Sequence, residues 1–128
     1  MIYLDSSVAL AVVFVEQRRP QASLWNEHLI SSRLLEYEMI NRIHTVRVGV
    51  AAVATVRRAL ADITLLDMTS EIFARALEPF PIAVRTLDGL HLATMDFLRT
   101  RGQAVQLASY DKRLAAAAIA LGFPLAEL

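Results

Sequence analysis

Along this chain the period of the hydrophobic pattern keeps switching, with short apolar runs alternating with longer stretches patterned for helices. That alternation leaves few folds open, because a strand, a helix and a second strand running the same way build a parallel sheet with helices on its faces. The expected class is α/β, a three-layer α/β/α sandwich. Strands are predicted over 1–4, 28–30, 63–66 and 104–108, with a weaker fifth over 123–125. Helices are predicted over 6–15, 20–27, 33–46, 50–60, from 69 or 70 to 78, 86–99 and 111–121. Pro20 suits a first helical turn, Ser32 and Thr69 or Ser70 suit N-caps, and Pro79 and Pro81 force a turn. Gly49, Gly102 and Gly122 mark breaks between elements. With 128 residues and no repeat or linker, one domain spanning 1–128 is expected.

Composition narrows the partners. Hydrophobic residues make up 55% and charged residues only 20%, so some apolar surface should stay uncovered, which favours a dimer or a bound protein. A formal net charge of zero denies the chain the broad positive field that grips nucleic acid non-specifically; any such contact must be local or metal-bridged. All the basic residues but Lys112 are Arg, a skew that suits bidentate phosphate contacts and equally reflects coding bias. The absence of cysteine excludes disulfides and thiolate metal sites. The longest wholly apolar run, 8–15, falls far short of the roughly 20 residues of a bilayer span, so no membrane partner is expected. Asp5 interrupts the apolar start where a secretory signal needs continuity, and a cytoplasmic protein is expected.

Four acids occupy related places. Asp5 follows the first strand and Asp111 the fourth, so both leave the carboxyl edge of the sheet, where open parallel sheets carry their sites. Either could equally be a helix N-cap. Glu38 lies early in the helix after strand two, beside Leu34 and Leu35, or else forms an i,i+4 pair with Arg42. Asp88 is in the first turn of its helix, where the macrodipole alone favours a carboxylate. If strands one and four are neighbours, the four converge. Two carboxylates about 4 Å apart repel by roughly 4 kcal/mol at an effective dielectric near 20, so such a cluster needs raised pKa values or a cation. All-oxygen donors select Mg²⁺ or Mn²⁺, and a carboxylate-held metal serves in-line attack on a phosphodiester. His28, His44 and His91 are scattered and read as structural or solvent-edge residues, and Asp96 as a solvated one.

Four segments also match a known family in order. Tyr3-Leu4-Asp5-Ser6-Ser7 resembles the first acidic motif of PIN domains, in particular of VapC-like toxins. Ser32-Arg33-Leu34 through Glu38 and Arg42 is similar to the second, Leu87-Asp88-Gly89-Leu90-His91-Leu92-Ala93 to the third, and Ser109-Tyr110-Asp111-Lys112-Arg113-Leu114 to the fourth. Gly89 departs from the family's usual alanine. The resemblance implies a five-stranded parallel sheet of order 3-2-1-4-5, a homodimer, and acidic pockets for one or two Mg²⁺ or Mn²⁺ ions. It implies endoribonuclease activity on RNA and a VapB-like antitoxin protein that blocks the pocket and alone contacts DNA. Asp5, Glu38 and Asp88 are then expected to hold the principal metal, with Asp111 closing the site and Ser7, Arg42 and Ser109 in support. Two other readings compete: an inactive PIN-like interaction module, and an aspartate-dependent phosphatase, which needs an Asp where Ser7 stands, or phosphoacceptor, which needs one after the third strand, where only Asp67 is available.

Overall fold

The strand after Met1 is short, and every residue of it is buried, as befits the middle of a sheet covered on both faces. The computed structural model describes residues 1–14, 17–46 and 49–128. In it β1 (Ile2–Leu4) lies between β2 (Leu29–Ser32) and β4 (Gln106–Ala108), and β3 (Thr64–Leu66) lies outside β2. All the pairings are parallel: Ile2 faces Leu29 and Gln106, Leu4 faces Ala108, and Ile30 faces Thr64.

The two-residue period of the strands sorts their side chains into two cores. Ile2, Leu4, Leu29 and Ala108 pack on one side against α1 (Ser6–Val13), α2 (Arg33–Val46) and α3 (Val50–Leu60), through Val8, Leu35, Met39, Ile43 and Val56. Tyr3, Ile30 and Leu107 pack on the other side against α5 (Thr86–Thr100) and α6 (Lys112–Ala120), through Leu92, Met95, Leu98 and Leu114. Helix α4 (Ser70–Ala76) lies along α5.

Several boundaries differ from expectation for identifiable reasons. Among the described residues the sheet has four strands, not five. Leu125 makes one parallel bridge to Leu107, beside β4 where a fifth strand belongs, using the Leu107 N–H to the Pro124 carbonyl and the Ala126 N–H to the Leu107 carbonyl. The next bond of that ladder needs an N–H from residue 124, and proline has none. The helix expected over 20–27 is a single 3-10 turn, Ala22–Asn26, burying only Leu24. Strand β2 runs on through Ser31 and Ser32, polar residues tolerated in the interior because the Ser31 hydroxyl donates to the Leu4 carbonyl at 2.7 Å and that of Ser32 to Met68 Sδ at 3.1 Å. Position 15, the expected end of the first helix, lies outside the described residues. Asp96 is not a solvated residue: it bridges Arg75 and Arg99, tying α4 to α5, and although burial pushes its carboxyl up, the two guanidiniums hold it below the usual range. None of the described helices is long and apolar enough to cross a membrane.

Gly89 sits inside α5, where a Cβ would meet Val84 Cγ2 at 3.4 Å and Phe80 Cε2 at 3.5 Å, both ordinary contacts. Gly89→Ala is therefore expected to stabilise the fold by about 0.5–1 kcal/mol through helix propensity and a less free unfolded chain. The measurement is the urea midpoint of the metal-free protein; a lowered midpoint would show that Phe80 and Val84 cannot accommodate the methyl.

Candidate metal centre

Asp5 is the residue after β1 and the N-cap of α1, and its buried carboxylate serves more than the cap. Its Oδ2 accepts the Ser7 N–H at 3.3 Å, the Ser7 hydroxyl at 2.7 Å and the Ser109 hydroxyl at 2.8 Å. These two serines in turn accept backbone N–H groups beyond β4, Tyr110 N at 2.9 Å on Ser7 and Asp111 N at 2.9 Å on Ser109. The turn after β4 is thus pinned to the turn after β1. With Oδ2 supplied by three donors, Asp5 Oδ1 accepts no hydrogen bond from the described residues and is free to meet a ligand.

Glu38 comes from α2, which begins directly at the carboxyl end of β2 with Ser32 accepting the Leu34 N–H. Its Oε2 accepts the Ser6 hydroxyl at 3.0 Å and its Oε1 pairs with Nε2 of His91, a residue only 1% exposed. Ligand atoms of Asp5, Glu38 and His91 all lie within 4.8 Å of one another.

Asp88 and Asp111 stand outside that tight group, and Arg85 explains how. The half-exposed guanidinium of Arg85 donates from Nε to Asp88 at 2.9 Å and from Nη2 to Asp111, joining the first turn of α5 to the cap of α6. Asp111 spends its other oxygen on the Arg113 and Leu114 N–H groups. Asp5, Glu38, Asp88 and Asp111 nonetheless line one open cleft of about 570 Å³, together with Ser6, Ser7, Leu10 and Arg85. Burial pushes the Asp88 carboxyl up, helped by the charges of Asp111 and Asp5 and opposed by Arg85. Burial also acts upward on Asp111, but the Leu114 N–H, Arg85 and the Arg113 N–H outweigh it and hold that carboxyl below its usual range.

Of the residues expected from the sequence, Asp5 and Glu38 bring ligand oxygens within 4.8 Å of each other, Ser7 and Ser109 touch Asp5, and Asp88 and Asp111 share their cleft. Arg42 is exposed on α2 and makes no ion pair with Glu38 among the described residues, whose partners are Ser6 and His91. His91, read as an ordinary structural residue, belongs to the cluster. Its position three residues after Asp88 on one helix was the available signal, as was that of Arg85 three residues before. A donor set rich in carboxylate oxygen, with one oxygen of Asp5 left over, fits a hard divalent cation.

The fold and cleft define a parallel α/β domain with a carboxylate-lined pocket at the carboxyl edge of its central strand. The sequence pattern described as "PIN domain" matches residues 2–120. The chain belongs to the PIN-domain family. Its relatives there include Ribonuclease VapC46 of Mycobacterium tuberculosis, 34% identical over 94% of this chain and 92% of the relative, and Ribonuclease VapC35 of the same species, 31% identical over the same shares. The crystal structure of Mycobacterium tuberculosis VapC20, described as a sarcin-ricin loop cleaving toxin, covers the whole of both chains with a TM-score of 0.73; at 16% identity it speaks to the fold alone.

The opposite displacements of Asp88 and Asp111 give opposite expectations for stability. A raised carboxyl penalises the folded state once ionised, so Asp88→Asn should be more stable than the unmodified protein at neutral pH, the gap closing as pH falls through the raised folded value and nearly gone by the unfolded one, about 3.9. A lowered carboxyl contributes stability above its unfolded pKa that is lost as pH falls through the lower folded value, so Asp111→Asn, which keeps a capping side chain, should be less stable at neutral pH and equal in acid. Urea titrations of the metal-free variants against pH read both; shifts of the same sign would contradict this balance of burial and donors.

Proposed function

We propose that the chain is a Mg²⁺- or Mn²⁺-dependent endoribonuclease, the VapC-like toxin of a toxin–antitoxin pair, hydrolysing RNA phosphodiester bonds. The observation that carries the reading is the meeting of two buried or half-buried carboxylates, Asp5 and Glu38, at the edge of β1 in a cleft that Asp88 and Asp111 also line. Relatives named as ribonucleases along nearly the whole chain support RNA as the substrate.

Asp5 and Glu38 would hold the cation, with Asp88 and Asp111 adding oxygen ligands directly or through water. Such an ion, when bound, polarises a phosphoryl oxygen and makes water a better nucleophile at neutral pH. The chain's own groups supply the rest. Ser7 and Ser109 fix Asp5, and Ser6 holds Glu38, so neither carboxylate has to reorganise when a ligand arrives. Arg85, half exposed at the rim, carries a planar fork that can exchange carboxylate for phosphate oxygens and so grip the RNA backbone locally, as a chain of zero net charge requires.

A VapB-like antitoxin and a homodimer are the proposed protein partners, one domain of residues 1–128 the proposed unit and the cytoplasm the proposed compartment. Exposed Phe73, Leu77 and Ile82 offer apolar surface for such contacts. Asp5→Asn is expected to keep the fold and to lower cleavage of single-stranded RNA in Mn²⁺ by at least about 100-fold, the effect of removing roughly 3 kcal/mol of metal-borne stabilisation. Undiminished cleavage by the folded variant, in preparations whose activity chelator abolishes, would refute the assignment of Asp5.

A further inference from the structure

A buried chain of polar groups reaches the cleft from beneath, and the nuclease reading leaves it without a role. Tyr3 points from β1 into the core under α5, fully buried, and its Oη accepts the backbone N–H of Ser32 at 3.2 Å, at the end of β2. The same oxygen lies 2.6 Å from Nδ1 of His91, with the two rings edge to face. Nε2 of His91 then meets Oε1 of Glu38, whose other oxygen takes the Ser6 hydroxyl. Backbone, phenol, imidazole and carboxylate are strung in one line, from the interior to the metal-facing side chain.

The direction of the hydrogens follows from what each group can do. An ionised carboxylate only accepts, so Nε2 carries a hydrogen. In its neutral form the imidazole has a single N–H, so with Nε2 donating Nδ1 is bare and can accept from the Tyr3 hydroxyl, whose oxygen the Ser32 N–H already engages. A phenol keeps its hydrogen at neutral pH, so that hydroxyl has one to donate. A nitrogen bearing hydrogen has no lone pair to offer a metal. The closeness of His91 to Asp5 and Glu38 would by itself suggest a mixed nitrogen and oxygen site, with affinity for zinc-like ions.

We propose instead that His91 is a positioning residue: held by Tyr3 with its hydrogen on Nε2, it orients the Glu38 carboxylate for the cation and stays out of the coordination sphere, leaving a hard, all-oxygen site. The proposal rests on the reading that Asp5 and Glu38 hold a divalent cation, and deepens it. Tyr3 thereby acts at two removes, selecting the tautomer that a carboxylate needs.

The first test is the nitrogen-15 spectrum of the imidazoles in uniformly labelled protein, with the His91 signals identified by their loss in His91→Gln. Nε2 protonated and Nδ1 bare, both before and after saturation with Mg²⁺, is the expected result. A hydrogen on Nδ1 in the metal-free protein, or loss of the Nε2 hydrogen on adding Mg²⁺, would overturn the proposal. The second test is Mn²⁺ affinity by calorimetry. His91→Leu should weaken it about 10- to 100-fold, the usual effect of removing a group that orients a metal ligand. His91→Gln, whose amide can offer a hydrogen near the place of Nε2, should recover most of the loss. Unchanged affinity in a folded His91→Leu variant would sink the positioning role alone, whereas failure of the unmodified protein to bind Mn²⁺ would sink the metal site beneath it. Should His91→Leu not fold, the spectrum of the unmodified protein and the affinity of Tyr3→Phe, expected to be reduced as well, decide the matter.

Discussion

Placing the carboxylate of Asp5 at the end of a strand buried on both faces is the demand around which this molecule is arranged. A carboxylate that is only 5% exposed is costly unless its oxygens find donors, and none of the donors it has lies in a strand. The donors come from the next turns instead. Ser7 lies in the first turn of α1 and Ser109 follows β4, a strand hydrogen-bonded to β1, so the pairing of those strands is what delivers the second hydroxyl. The same hydroxyls accept the N–H groups of Tyr110 and Asp111 and so direct the chain into α6. Sheet pairing, helix entry and the state of one carboxylate are a single problem with a single solution.

How much of this the sequence revealed depends on whether the deciding force was local. Helices α2 and α3 begin where Ser32 and Gly49 foretell, because a cap and a break act on their immediate neighbours. The order of β1, β2, β3 and β4 agrees with the order implied by the PIN resemblance, a long-range property that no single segment encodes. Pro124 was in plain view as a residue unable to donate, yet its effect shows only once the ladder it would join is known. The site divides in the same way. Acids at the ends of strands were readable from their spacing, and their common cleft follows from the topology. Arg85 and His91 were not, because a cation pairing two acids on different helices, or an imidazole beneath a carboxylate, is decided by side-chain reach across elements. Asp96 failed for the same reason: helical geometry placed it far from Asp88, but said nothing of the arginines on α4 and α5 that enclose it.

The four cleft carboxylates are compensated by two unlike means, and the difference bears on what the cleft can do. Asp5 and Glu38 are held mainly by neutral donors, hydroxyls and an imidazole, which orient the oxygens without cancelling their charge. Asp88 and Asp111 share a guanidinium that does cancel it. A divalent cation is drawn to uncancelled negative charge, so under the proposed metal-dependent reading the first pair would be its seat and the second the flank. Arg85 is half exposed and bonded to both flank acids at once, so one positive charge at the mouth of the cleft is shared between the first turn of α5 and the cap of α6. Under the proposed nuclease reading, a chain with no net charge to attract nucleic acid from a distance would have to rely on such local positive charge, and on the bound ion, to hold an RNA backbone.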